Sequence, residues 1–366
     1  MPSVPPIPPR PRVAVVIGGR SSEREISLES GRHIFQTIDR SRFEPAAVYM
    51  DARGGLWEIG LPLVVQNTTA DIDARLAHDA ERLPWEALPE RFDIVYIGLH
   101  GKYGEDGCFQ GLLELLDVPY VGSGVLGSAL GMDKRVQRDI LRQAGIDVPR
   151  TVAITAAEWS DAAGADAAVA RVEETLGFPC VVKPSREGCS TALAVPRDAA
   201  ALRAAVDDAL AWDAVALVEE HLSGVEVTVV VLEDERGRPR AFAPTETPAK
   251  GAFLTIEEKF LPGYGENITP ARLRSTALEA VRDVAERAFA ALQLRVFARI
   301  DMYVVDGAPG AAPRIIVGEP NTLPGSSPSS TIFLGPIEEG ILPHDLLTMI
   351  LERSMAAHRA KRGPLA

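Results

Sequence analysis

Cysteine is scarce in this 366-residue chain: Cys108, Cys180 and Cys189 are the only three, with neither metal-ligand spacing nor a disulfide pattern. Such usage fits a reducing compartment, and the cytoplasm is the expected location. Long apolar runs are missing too; the longest are strand-sized, so no membrane span is expected. Basic charge is in deficit, 38 Lys plus Arg against 51 Asp plus Glu, for a formal net charge of −13. This excludes the broad basic face that a nucleic-acid backbone selects, and leaves open an anionic nucleotide in a locally basic pocket. The opening MPSVPPIPPRP has no signal-peptide apolar core and reads as an extended or disordered Pro-rich tail over residues 1–11. What is present is ordinary for a folded soluble protein, 46% apolar and 24% charged residues. The length exceeds one ordinary core and suggests two or three domains.

Along the chain, a buried strand at Val13–Ile17 runs into Gly18-Gly19 and then a helical pattern to about Ile38, the opening of an α/β unit. Further strands are expected at Ala46–Tyr49 and Asp93–Leu99, and helices at Gly107–Leu116 and Asp133–Ala144. Gly145-Ile146-Asp147-Val148-Pro149 breaks the pattern as a domain junction would. A second block has helices in Asp161–Leu176 and Ala199–Ala211, with strands at Cys180–Lys183, Ala216–Glu219 and Val225–Leu232. A hairpin turn at Glu233–Arg238, a long loop over Pro248–Pro270, a helix at Arg272–Leu292 and a closing helix from His344 complete the reading. There is no internal repeat.

Two apolar strands carry the chemistry. In Ile315-Ile316-Val317-Gly318-Glu319-Pro320-Asn321 the apolar run stops at a carboxylate, with an amide two residues on and a Pro-Gly turn after it. Side chains alternate along a strand, so Glu319 and Asn321 share a face. In Phe297-Ala298-Arg299-Ile300-Asp301, Arg299 and Asp301 share a face in the same way. Either segment alone is equally compatible with a strand ending in a polar loop. Adjacent, they would gather hard oxygen ligands for Mg²⁺ shared with phosphates, with Arg299 reaching a phosphoryl group. Val181-Val182-Lys183 leads into the small-residue loop Pro184–Ser190, where backbone N–H groups can approach phosphates beside the lysine charge. It is not a Walker loop, because the lysine precedes the glycine. Ala216–Glu220 is an apolar strand with carboxylates at its exit, suited to adenine and ribose contacts or simply to solvent.

The order of these motifs resembles the ATP-grasp superfamily and, within it, the D-alanine–D-alanine ligases. The resembling pieces are GGRSSEREISLESG (Gly18–Gly31), the stretch Leu99–Lys134, VVKPSREG (Val181–Gly188), VEEHLSGVEVTV (Val218–Val229), EEKF (Glu257–Phe260), RIDM (Arg299–Met302) and GEPNTLPG (Gly318–Gly325). The resemblance implies an α/β protein of three domains: a Rossmann-like N-terminal domain over residues 12–133, and ATP held between two α+β subdomains, 134–224 and 225–366. It implies that Lys134 and Lys183 contact nucleotide phosphates, that Glu219 and the Leu222 backbone meet adenine, and that Glu226 meets ribose. Asp301, Glu319 and Asn321 match ligands for two Mg²⁺ ions, with Mn²⁺ as a substitute. Lys259 matches a loop lysine that closes on the transferred phosphate, and Arg299 an arginine that stabilises an acylphosphate step. Glu23 matches the carboxylate holding the first D-alanine's ammonium. Gly325 matches an oxyanion donor, Ser330 a hydroxyl near the second substrate's carboxylate, and His100 a substrate-side loop residue. Closure of Pro248–Pro270 would exclude water, and a homodimer is expected.

The chain also departs from the family pattern. Cys189 and Phe260 stand where a serine and a tyrosine usually join the Glu23 carboxylate in a hydrogen-bonded triad, and phenylalanine has no hydrogen to donate. Phenylalanine at that position resembles ligases that also accept D-lactate. Ala192 replaces a usual glycine, Leu254 and Ile256 replace common tyrosines, and Ser326–Thr331 replaces a more aromatic, His-containing stretch. The alternatives are therefore a different acceptor, such as D-lactate or D-serine, or a nucleotide-binding protein without turnover on the same scaffold. A dehydrogenase is excluded because Gly18-Gly19 lacks GxGxxG spacing and a following ribose acid.

Overall fold

Strand β1 (Arg12–Gly18) is almost wholly buried, as a strand covered on both faces must be, and helix α1 (Arg24–Thr37) packs against it. The computed structural model describes residues 10–188, 191–248, 266–305 and 312–361. Strands β2 (Glu44–Met50), β3 (Leu56–Ile59), β4 (Ala80–Leu83) and β5 (Ile94–Ile97) complete a five-stranded sheet of order β4-β3-β2-β1-β5. Strands β2 and β5 flank β1 in parallel, and β3 and β4 extend the edge antiparallel. Gly18 ends β1 at φ +88°, where an added Cβ would lie 2.6 Å from the Met50 carbonyl, so the turn requires glycine. Helices α2 (Cys108–Leu115) and α3 (Val125–Met132) follow.

Helix α4 (Lys134–Gln143) begins at Asp133, whose side chain caps the Arg135 and Val136 amides. Then come strand β6 (Thr151–Thr155), helix α5 (Ala162–Thr175), strand β7 (Cys180–Pro184), helix α6 (Ala199–Trp212) and strand β8 (Val215–Glu220). The three strands form an antiparallel sheet of order β6-β8-β7, with its own core of Val152, Ile154, Val182, Val218, Leu202 and Val206.

The last sheet has order β10-β9-β12-β13: β9 (Val225–Glu233), β10 (Pro239–Ala241), β11 (Thr245–Glu246, paired to β9), and, after helix α7 (Ser275–Ala291), β12 (Phe297–Val305) and β13 (Arg314–Asn321). One face of β9 and β12 supplies Val227, Val229, Val231, Ala298, Ile300 and Met302 to a core beneath α7. The opposite face carries Glu226, Thr228, Arg299 and Asp301. On β13, Ile315 and Val317 join the same core, so strict alternation would send Glu319 and Asn321 there too. The register instead skips a residue: Met302 faces Val317 while Asp301 faces Glu319. Gly318 is the extra residue of a β-bulge, which turns Glu319 and Asn321 to the side of Asp301.

Helix α8 (Pro343–Lys361) returns to the first sheet, where Leu346, Leu347, Ile350 and Leu351 share a core with β1 and β5. Leu141 of α4, with Ile146 and Val148, packs in the core of the last sheet. The three cores are thus not three consecutive stretches of chain. No helix among the described residues is long and apolar enough to cross a membrane.

Candidate active site

Two cavities meet where β12 and β13 face the phosphate-type loop after β7. The larger lies between the β6-β8-β7 sheet and the last sheet, and is lined by Lys134, Lys183, Glu219, Leu222, Glu226 and Tyr303. The smaller lies toward the first sheet and is lined by Glu23, His100, Glu105, Arg299, Asn321 and Gly325. Asp301, Glu319 and Gly188 line both. Asp301 and Glu319, singled out on two separate strands, therefore sit where the cavities meet, with Arg299 and Asn321 on the side of the smaller one.

Asp301 and Arg299 share a face, as alternation requires, and pair with each other. Arg299 Nε reaches Asp301 Oδ1 at 2.9 Å and Nη2 reaches Oδ2 at 2.8 Å. Burial opposes the guanidinium charge, and Asp301 outweighs it, so Arg299 holds its proton more firmly than usual. Thr228 also donates to Asp301 Oδ1 at 3.0 Å, and Asn321 Nδ2 approaches Oδ2 at 3.3 Å. Lys134 Nζ lies 2.8 Å from Glu319 Oε1 and donates to the Glu187 carbonyl at 2.7 Å. No three His, Cys, Asp or Glu side chains among the described residues form a metal cluster. Two carboxylates and one amide oxygen are instead hard donors too few to cage an ion alone, which suits Mg²⁺ that completes its shell with phosphate and water.

Glu219 sits at the strand exit expected, but its carboxylate is turned inward. Oε1 accepts from Arg138 and Oε2 pairs with Lys183 at 2.8 Å. Glu219 nevertheless lines the larger cavity, on the side of Leu222 and Glu226. A carboxylate 4% exposed needs cations, and both of its oxygens are committed to them. Burial alone would raise the Glu219 carboxyl; Arg138 and Lys183 overcome it and hold it at about 2. Burial, the larger influence, lowers Lys183 despite Glu219. A glutamate lowered from 4.5 to about 2 stabilises the fold fully above about pH 4.5 and loses that contribution as pH falls toward 2. Glu219→Gln is expected to lose about 3 kcal/mol at neutral pH. Urea midpoints at about pH 7 and about pH 4 check it: the gap between wild type and variant should narrow at the lower pH.

Glu23 is buried at the start of α1 and makes no capping hydrogen bond with its side chain. Its carboxylate lies against two glycines; a Cβ would approach Oε1 to 2.8 Å at Gly101 and 2.3 Å at Gly188. His100 Nε2 is 2.9 Å from Ser30 Oγ, and Nδ1 is 3.5 Å from Glu105 Oε1. Gly325 lines the smaller cavity, whereas Ser330 is buried, lies 2.9 Å from Ser327 Oγ and is not part of that lining. Ala192, at the usual glycine position, has φ +48°, a left-handed conformation that explains why glycine suits it. Cys108 and Cys180 are free thiols, the first exposed and the second buried. Cys189, Lys259 and Phe260, and most of the Pro248–Pro270 loop, lie outside the described residues.

Sequence reasoning passed over Arg138, Glu105, Glu187 and Thr228. For Arg138 a signal existed: Lys134, Arg138 and Leu141 fall on one helical face, and that face is buried.

Family models described as the D-ala D-ala ligase N-terminus and C-terminus match residues 12–123 and 140–352. The chain is 32% identical to a D-alanine--D-alanine ligase of Geobacillus thermodenitrificans, covering 96% of this chain and 97% of the relative. It is 35% identical to D-alanine--D-alanine ligase A of Chromobacterium violaceum, over 95% and 96%. A D-Ala:D-Ser ligase structure from Enterococcus faecalis superposes with TM-score 0.78 at 26% identity, over 95% of this chain and 99% of that one. A D-alanine--D-alanine ligase of Bacillus anthracis complexed with ATP gives TM-score 0.71 at 27% identity, over 96% and 100%. With its two matched regions spanning most of its length, the chain belongs to the D-alanine–D-alanine ligase family.

Proposed function

We infer that this protein is an ATP-dependent ligase that joins two D-alanine molecules through D-alanyl phosphate, giving D-alanyl-D-alanine for peptidoglycan synthesis. The observation that carries this reading is the junction at Asp301 and Glu319, between a cleft bearing Lys134 and Lys183 and a cavity bearing Glu23 and Arg299. A phosphoryl group can pass there from nucleotide to carboxylate. A carboxylate oxygen of the first D-alanine attacks the γ-phosphorus, and the bond to ADP breaks. The deprotonated amine of the second then attacks the acyl carbon, and inorganic phosphate leaves. Catalysis of this kind is mostly positioning and charge stabilisation.

Lys134 and Lys183 hold the phosphates, and Arg299 neutralises charge on the transferred group. Glu23, set between Gly101 and Gly188, takes the first ammonium. The Gly325 N–H serves the oxyanion; His100 and Ser330 serve the substrate side. With Glu219 engaged by cations, adenine falls to backbone near Leu222, and ribose to Glu226. Asp301, Glu319 and Asn321 would hold two Mg²⁺ ions, or Mn²⁺, which supply positive charge against the triphosphate. The family resemblance gives Lys259, Phe260 and Cys189 their roles beside the transferred phosphate and the second subsite. The working units are residues 12–133, 134–224 and 225–366, with α8 lent to the core of the first and α4 to that of the last, in a cytoplasmic homodimer.

The test is ADP and phosphate release from Mg·ATP with D-alanine, the product identified by mass, with D-lactate and D-serine in competition. D-alanyl-D-alanine as main product supports the reading; release only with another acceptor would replace it. A depsipeptide from D-lactate would point to Phe260. An unchanged dipeptide-to-depsipeptide ratio in Phe260→Tyr would remove that residue from selectivity.

A further inference from the structure

We propose that Arg138 is a positioning residue for the nucleotide phosphates: it takes half of the Glu219 carboxylate, so that the cluster of Arg138, Glu219 and Lys183 keeps a net positive charge for ATP, and it fixes the bulge that carries Glu319. The inference rests on the reading of the larger cavity as the ATP cleft.

Arg138 projects from α4 one turn after Lys134, and its side chain is 1% exposed. Nε and Nη2 lie 3.1 and 2.9 Å from Glu219 Oε1, and Nη1 lies 2.7 Å from Gln137 Oε1. Nη2 also donates to the Gly318 carbonyl at 2.5 Å. Gly318 is the residue left over in the β12–β13 register, so its carbonyl needs a partner outside the ladder. Arg138 therefore ties three strands: β8 through Glu219, β7 through Glu219 and Lys183, and β13 through Gly318.

A guanidinium this deeply buried is costly, and an apolar side chain would fill a core at less expense. Its chemistry here has a purpose that packing lacks. Lys183, Glu219 and Arg138 together carry one net positive charge. Without Arg138, Lys183 and Glu219 form a neutral pair, and the ammonium is drawn away from a triphosphate. The fork geometry of arginine also lets one side chain reach both a carboxylate and a carbonyl, which an ammonium on a lysine stem does poorly.

The experiment measures Mg·ATP affinity by calorimetry in the full-length protein without D-alanine, together with steady-state KM values. Arg138→Met should weaken ATP about 10-fold or more while the D-alanine KM stays within about 2-fold, and Arg138→Lys should recover part of the loss. The decisive variant is the double substitution Arg138→Met with Glu219→Gln, which restores the net charge around Lys183. It should bind Mg·ATP more tightly than Arg138→Met alone. A merely structural role predicts a further loss instead, and that result, or wild-type ATP affinity in Arg138→Met, overturns the proposal. If Arg138→Met fails to fold, Arg138→Lys carries the test alone: it keeps the charge but loses the fork that reaches both Glu219 and the Gly318 carbonyl, so Mg·ATP affinity should fall about 3-fold or more, and wild-type affinity overturns the proposal. Because ATP affinity is read without acceptor, failure to make D-alanyl-D-alanine would sink the proposed reaction and leave this inference to its own test.

Discussion

Replacing Arg299 with methionine is expected to lower kcat for D-alanine-dependent ADP formation by ~10³-fold or more, the range seen when an arginine is removed from a phosphoryl-transfer site. Two losses combine. The guanidinium, 13% exposed in its side chain, lines the smaller cavity beside Asp301, which borders both cavities. It is also the bidentate partner of Asp301, so its removal leaves a carboxylate with Thr228 and Asn321 but no cation from β12. Breaking a buried pair from one side typically costs about 3–5 kcal/mol, so the variant's melting temperature must be read beside its rate. Arg299→Lys separates the effects. It keeps a charge near Asp301 and loses the planar fork, so stability should largely return while the rate stays at least about 10-fold low. Single-turnover ADP release measures the chemical step directly. A methionine variant within about 10-fold of wild type would remove Arg299 from the phosphoryl step.

The strand chemistry was legible because alternation is local: Arg299 and Asp301 are two residues apart and could only share a face. The same rule, applied to β13 from its core residues Ile315 and Val317, fails at Glu319. A bulge at Gly318 reverses the alternation, and the Gly318 carbonyl is taken by Arg138, a contact across 180 residues that no local pattern contains. Lys183 stood out by its loop and Lys134 only through the family resemblance, and the inward turn of Glu219 was legible from neither. A strand-exit carboxylate looks solvated until Arg138, 81 residues earlier, is brought against it. Helix α3, Val125–Met132, went unread because VLGSALGM is small and apolar on every side and shows no periodic stripe. Strands β3, β4 and β6 are four or five residues long and gave no strong alternating signal. Helix α8 was read as a helix, but its packing on the first sheet is a long-range contact beyond any pattern in its own sequence.

Chelation of divalent ions should abolish ADP formation, and Glu319→Gln should raise the Mg²⁺ concentration needed for half-maximal rate while lowering the saturated rate by ~10²–10³-fold, the scale for losing one preorganised electrostatic contact. Glu319 lies opposite Asp301 across β12 and β13 and lines both cavities, so it borders both the proposed nucleotide cleft and the proposed site of the first D-alanine. It also pairs with Lys134 at 2.8 Å, a contact that binding of an ion must share or replace. Glutamine keeps the shape and one oxygen but removes the negative charge that favours a divalent ion. Lys134 would retain the Glu187 carbonyl at 2.7 Å, so the phosphate-side lysine is not left without an anchor and the fold should hold. Asp301→Asn should be the more damaging of the two, because it also strips Arg299 of its carboxylate partner. Paramagnetic Mn²⁺ binding in the presence of ADP gives a readout independent of turnover: affinity should fall in both variants. Unchanged Mn²⁺ affinity in Glu319→Gln would exclude that carboxylate as a ligand. It would then act through Lys134, and the saturated rate would fall with no shift in the metal requirement.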